Sequence, residues 1–179
     1  DMKSWTELSL QGLDPADPVS LSQLTEYEGT YYLPSVNGTL YRAYDGLEWA
    51  HIVIDIPKVF SILGDVEEGG RQESVLALII RQGDILQFAS MNKDRVLSLG
   101  DEVPPEFPLI GFGKENFTSM YHEYLMVVGG KDGNNRLSNS AWGTMDGKSW
   151  ALLTDEQADY FTPKEGLMVQ AYADKILAI

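Results

Sequence analysis

Thr144-Met145-Asp146-Gly147-Lys148-Ser149-Trp150 is the stretch on which the reading of the whole chain turns. An acid followed by glycine supplies a side-chain acceptor for turn amides and a residue free to adopt positive φ, the chemistry of a tight corner between antiparallel strands. A tryptophan four residues after the acid, just inside the following strand, can bury roughly 150–250 Å². At about 25 cal/mol per Å² that is an upper bound of ~4–6 kcal/mol. Working outward, the same offset recurs in Asp45-Gly46-Leu47-Glu48-Trp49 and in Asp1-Met2-Lys3-Ser4-Trp5, and the first and last copies share Lys-Ser-Trp. Asn92-Lys93-Asp94-Arg95-Val96 keeps the offset with Asn92 for the acid and Val96 for the indole, and reads as a decayed copy.

Successive acids or amides are separated by 44, 47 and 54 residues, close to the period of about 40–50 residues of propeller blades. Between the corners run short segments rich in β-branched and aromatic residues, punctuated by Gly, Asn and Asp. Thr30–Val36, closed by Asn37-Gly38 and followed by Leu40–Tyr44, has the signature of a hairpin. The next repeat offers Val59–Leu63, Ser74–Ile80, Ile85–Ala89 and Val96–Leu99, with Gln82-Gly83-Asp84 as a turn. The third offers Leu109–Phe112, Tyr124–Val128 closed by Gly129-Gly130, Ser140–Thr144 and Ser149–Leu153. Leu167–Tyr172 and Lys175–Ile179 then begin a further unit, and Thr154–Tyr160 reads as a loop turn.

The expected architecture is therefore all-β, a partial β-propeller of four-stranded antiparallel blades. Its repeats fall at 19–53, 59–99 and 108–153, with partial blades at 1–8 and 166–179, forming one propeller fragment over 1–179. These strands do not close a ring, which predicts either a longer parent chain or self-association through open blade edges.

Composition narrows the function. Thirteen basic and 27 acidic residues give a net charge of −14, a field that repels phosphate backbones and predicts no nucleic-acid binding. The absence of cysteine removes thiolate chemistry, disulfides and Cys-ligated metal. The longest uninterrupted apolar run, Val75–Ile80, is far short of the ~18 residues that span a bilayer.

The run Tyr124–Gly130, with Leu137–Trp142 and Asp146–Trp150 behind it, resembles a kelch-type blade: an apolar strand ending in Gly-Gly, an aromatic, and a spaced tryptophan. The Thr144–Trp150 corner is also similar to the turn of secreted bacterial kelch-like propeller proteins of unknown function. That resemblance implies an exported bacterial protein, periplasmic or at the cell surface, with lipid attachment among the possibilities. Val36-Asn37-Gly38 stands where the first repeat would carry Gly-Gly, and the second repeat lacks both Gly-Gly and Trp. The corner differs from the Asp-box of sialidases because Gly follows Asp at once. The Tyr-Cys copper chemistry of a kelch-family oxidase is impossible without cysteine.

Tyr44, Trp142 and Tyr121 are the expected ligand-contacting residues, because aromatics flanked by Asn, Asp and Gln suit stacking on sugars or gripping a peptide. The competing reading of the same residues is packing between blades. Asp1, Trp5, Asp45, Gly46, Trp49, Asn92, Val96, Gly129, Gly130, Asp146, Gly147 and Trp150 are the expected structural repeat residues. His51 and His122 lie in no metal-binding pattern, and Asp132-Gly133-Asn134-Asn135 reads as a turn or a partial calcium loop. The acids Asp65, Glu67 and Glu68, or Asp101, Glu102 and Glu106, could pair for catalysis or form solvated loop faces. No phosphate-cradling loop or dinucleotide fingerprint is present, and no cofactor is expected. The expected function is non-catalytic recognition of a protein or glycan through blade loops. The alternative is a glycan-active enzyme whose carboxylates lie partly outside this span.

Overall fold

The computed structural model describes residues 10–52, 58–67, 74–110, 112–118, 123–154, 162–172 and 175–179. Three four-stranded meanders follow one another. The first pairs β1 (Thr25–Tyr27), β2 (Thr30–Pro34), β3 (Leu40–Ala43) and β4 (Ala50–His51) in that order. The second pairs β5 (Lys58–Glu67), β6 (Ser74–Gln82), β7 (Ile85–Met91) and β8 (Leu97–Glu102). The third pairs β9 (Gly113–Thr118), β10 (Glu123–Val128), β11 (Ala141–Thr144) and β12 (Ala151–Leu152), and β13 (Val169–Tyr172) with β14 (Lys175–Ala178) makes a two-stranded sheet. Every strand pair is antiparallel, and the only helical element among the described residues is the 3₁₀ turn Leu21–Gln23. This is a partial β-propeller.

The first strands of successive sheets adjoin one another, β1 to β5, β5 to β9 and β9 to β13, as strands nearest a common axis do. The fourth strands form the opposite edge, where β4 is exposed and β8 largely so. Apolar side chains fill the spaces between sheets. Leu63, Ala77, Ile79 and Phe88 of the second sheet pack with Leu125, Val127 and Trp142 of the third. Tyr27, Tyr32 and Leu40 of the first sheet pack with Ile62, Leu78 and Ile80 of the second. Strand β6 is sandwiched from both sides, which is why its run from Val75 to Ile80 is apolar without alternation and wholly buried.

One expected strand is corrected. Leu109–Phe112 does not form the first strand of the third sheet; Leu109 and Ile110 instead hydrogen-bond to the backbone of Lys131, across the β10–β11 loop. The first strand begins later, at Gly113, in the more polar segment Gly-Lys-Glu-Asn-Phe-Thr. This segment carries less apolar signal than β10 behind it. The tryptophans likewise stand just before the fourth strands, at Trp49 and Trp150, not inside them.

Candidate functional site

The acid-glycine corners join third strands to fourth strands. Asp45 Oδ1 accepts the N–H groups of Leu47 (2.9 Å) and Glu48 (3.0 Å), and Asp146 Oδ1 accepts those of Lys148 and Ser149, both at 2.8 Å. Gly46 and Gly147 adopt φ of 74° and 72°, which only glycine takes up without strain. The two amides hold the Asp45 carboxyl below the usual carboxylate range, Glu48 N–H being the larger influence. Each corner also docks on the strand or segment before it. Leu47 O accepts from Gln11 N–H at 2.9 Å, and Lys148 O accepts from Asp101 N–H at 3.0 Å. The carbonyl two residues past the acid thus accepts a backbone N–H from an earlier part of the chain in both corners.

Their indoles differ. Trp49 Nε1 donates to Gly46 O at 3.1 Å and the ring is buried with Leu33, Tyr41 and Ala43 of its own sheet. Trp150 reaches the second sheet, stacking on Phe88 (centroids 5.4 Å apart) and meeting Phe107 edge-on at 5.3 Å. Asn92 occupies the equivalent corner of the second sheet, where its Oδ1 accepts Val96 N–H at 2.9 Å; positive φ falls on Arg95 instead of a glycine, and Val96 is 58% exposed. Gly129 and Gly130 close β10 with φ of 64° and 91°, and a Cβ there would lie 2.4 Å from Leu167 Cδ1 or 2.7 Å from Ile110 O, so both positions call for glycine. Asp1 and Trp5 lie outside the described residues.

Of the three aromatics expected at a ligand, Tyr44 and Trp142 fall among the described residues, and they stand in different settings. Tyr44 is 68% exposed beside its own strand, with Arg42 Nη1 donating to its hydroxyl at 2.7 Å and the guanidinium 5.3 Å from the ring. Trp142 is 4% exposed, packed against Phe107 between the second and third sheets, with its Nε1 bonded to Ser140 Oγ. Tyr121, like His122, lies outside the described residues. His51 is exposed on β4. Asp132 Oδ1 accepts the N–H groups of Asn134 and Arg136, the geometry of a turn. Asp101, Glu102 and Glu106 are exposed, and the described residues hold no group of three or more His, Asp or Glu able to share a metal ion.

The residues that do converge come from the axial strands. Lys114 on β9 extends toward β1, and its Nζ donates to Thr25 Oγ1 at 3.1 Å; Thr25 Oγ1 in turn donates to Gln23 O at 3.1 Å. Gln23 Oε1 accepts Ile62 N–H at 3.1 Å, tying the 3₁₀ turn to β5. Two clefts meet at Lys114. One, of about 540 Å³, opens where the axial strands begin and is walled by Gln23, Leu109, Phe112, Lys114, Met168 and Gln170. The other, of about 370 Å³, is bounded by Thr25, Glu26, Asp65, Lys114 and Leu125. Burial lowers the Lys114 pKa, and the Asp65 carboxylate opposes that shift. An ammonium has three donors, so one bond to Thr25 leaves capacity for acceptors entering either cleft. Hydrophobic patterning could not find Lys114, since it marks only residues facing the packed layers. The one available signal was a lysine inside a segment of strand length in an acidic chain.

The family model of the DUF6242 beta propeller domain matches residues 1–179. No curated protein and no solved structure matches the chain.

Proposed function

From the premise that this chain belongs to the DUF6242 beta propeller domain family, we propose that it is a non-catalytic recognition module of an exported protein, kelch-like in its blades, that binds a protein or glycan where the axial strands begin. The observation that carries this reading is Lys114, whose ammonium spans from the third sheet to Thr25 of the first and borders both axial clefts. A cleft mostly apolar in its walls with a few convergent polar groups is the usual form of a ligand site. Loops at one end of stacked sheets can vary without disturbing the packed layers.

The test is binding of the purified chain to a glycan array and a peptide array, with Lys114→Met run in parallel. A hit that Lys114→Met weakens by tenfold or more, about 1.4 kcal/mol, supports the reading. A hit retained in full by Lys114→Met, or none on either array, overturns the axial site. Export is tested separately by fractionating cells that express the natural full-length protein.

A further inference from the structure

We propose a second binding site, in the cleft between the first and second sheets, that takes the carboxylates of an acidic peptide segment on Lys58 and Arg81. These residues stand directly opposite each other in the β5–β6 register and are both exposed. Residues opposite each other in an antiparallel pair project to the same face, where like charges destabilise the sheet. The chain has 27 acidic side chains against 13 basic ones, yet neither Lys58 nor Arg81 forms an ion pair among the described residues. The Arg81 guanidinium lies 5.3 Å from the Phe60 ring centroid, a contact that orients its plane while leaving N–H donors for an anion.

The cleft around this pair measures about 390 Å³ and presents Pro34, Val36 and Val59 beside the two cations. Its shape is fixed in advance. Val59 N–H donates to Gly38 O at 3.0 Å, and Gly38, at φ 91°, is so close to β5 that a Cβ would sit 2.4 Å from Lys58 Cβ. Asn37 N–H donates to Asp17 Oδ1 at 3.2 Å, which anchors the loop forming the opposite wall. Phe60, the one aromatic lining the cleft among the described residues, sits beneath Arg81, so its ring is not open for a sugar to stack on. Apolar wall next to paired cations instead suits a chain in which carboxylates alternate with aliphatic side chains. The site extends beyond the axial reading and requires neither Lys114 nor Thr25, although Ser20 and Gln23 border both clefts.

The test is a fluorescence anisotropy titration with a labelled peptide of alternating glutamate and valine. A lysine–valine peptide and oligogalacturonate serve as the comparison ligands. The acidic peptide is expected to bind, to weaken with added salt, and to lose affinity by more than about tenfold in Lys58→Glu/Arg81→Glu. Lys114→Met should bind it like the wild type. Should the charge-reversed protein fail to fold by circular dichroism, Lys58→Gln/Arg81→Gln replaces it with the same expectation. No binding of the acidic peptide, equal binding by the double variant, equal loss in Lys114→Met, or binding of oligogalacturonate in its place would each overturn the proposal.

Discussion

At residue scale the two glycine corners make a controlled comparison. Gly46 and Gly147 share the same backbone conformation, but a Cβ on Gly46 would meet only Tyr31 ring atoms at 3.9 Å, whereas one on Gly147 would lie 3.1 Å from Ala77 Cβ in the neighbouring sheet. Gly46→Ala should therefore cost only the left-handed strain, about 1–2 kcal/mol. Gly147→Ala should cost more, since either the corner or β6 must also shift; urea unfolding of both variants measures the difference. Asp17 offers a second test. Its burial raises the carboxyl pKa, but hydrogen bonds from Thr39, Ser35 and Asn37 outweigh that and leave it lowered. A carboxyl whose folded pKa is depressed stabilises the fold above its unfolded pKa and loses that contribution as pH falls through the folded value. Asp17→Ala should lower stability at neutral pH by about 1 kcal/mol, by removing the acceptor of the Asn37 N–H. The variant should also unfold with a shallower dependence on pH below about 5 than the wild type.

At the scale of elements, the corners decide how sheets are joined. Trp150 carries its indole from the third sheet onto Phe88 of the second, so Trp150→Ala should destabilise by about 3–5 kcal/mol. The corresponding Val96 is exposed, and Val96→Ala should stay within about 0.5 kcal/mol of the wild type. Differential scanning calorimetry on the two variants checks the contrast, and equal losses would deny the inter-sheet role of Trp150. Most strands behind the axis were legible because their side chains face packed layers on one or both sides. Ser74–Ile80 and Tyr124–Val128 are read almost to the residue as β6 and β10. The axial strand β9 was harder: the expected Leu109–Phe112 precedes it, and the fold uses the apolar Leu109 and Ile110 to brace a loop.

At the scale of the whole molecule, the sheets place Lys114 on the axis against the second sheet's Asp65 and the first sheet's Thr25. A lysine whose folded pKa is depressed opposes folding while it is protonated, and that penalty is relieved as pH rises from the folded value toward the ordinary one. The wild type should therefore gain stability relative to Lys114→Met as pH rises through the alkaline range, as followed by thermal melts. Lys114→Met itself should be at least as stable as the wild type at neutral pH, so loss of binding by this variant reports on the site and not on folding.

Local chemistry could be read straight from the chain: acid-glycine corners, glycines that adopt positive φ, and apolar strands at a period matching propeller blades. Those features depend on neighbours close in the chain. Which cations face a cleft, and which aromatics are shut between sheets, depends on how distant segments come together in space. Lys114 and Thr25 are far apart in sequence, Trp142 and Phe107 belong to different layers of one interface, and Lys58 meets Arg81 only through the register of two strands. Rotation of one sheet upon the next sets the first two distances and strand register within one sheet sets the third, and no local pattern records either.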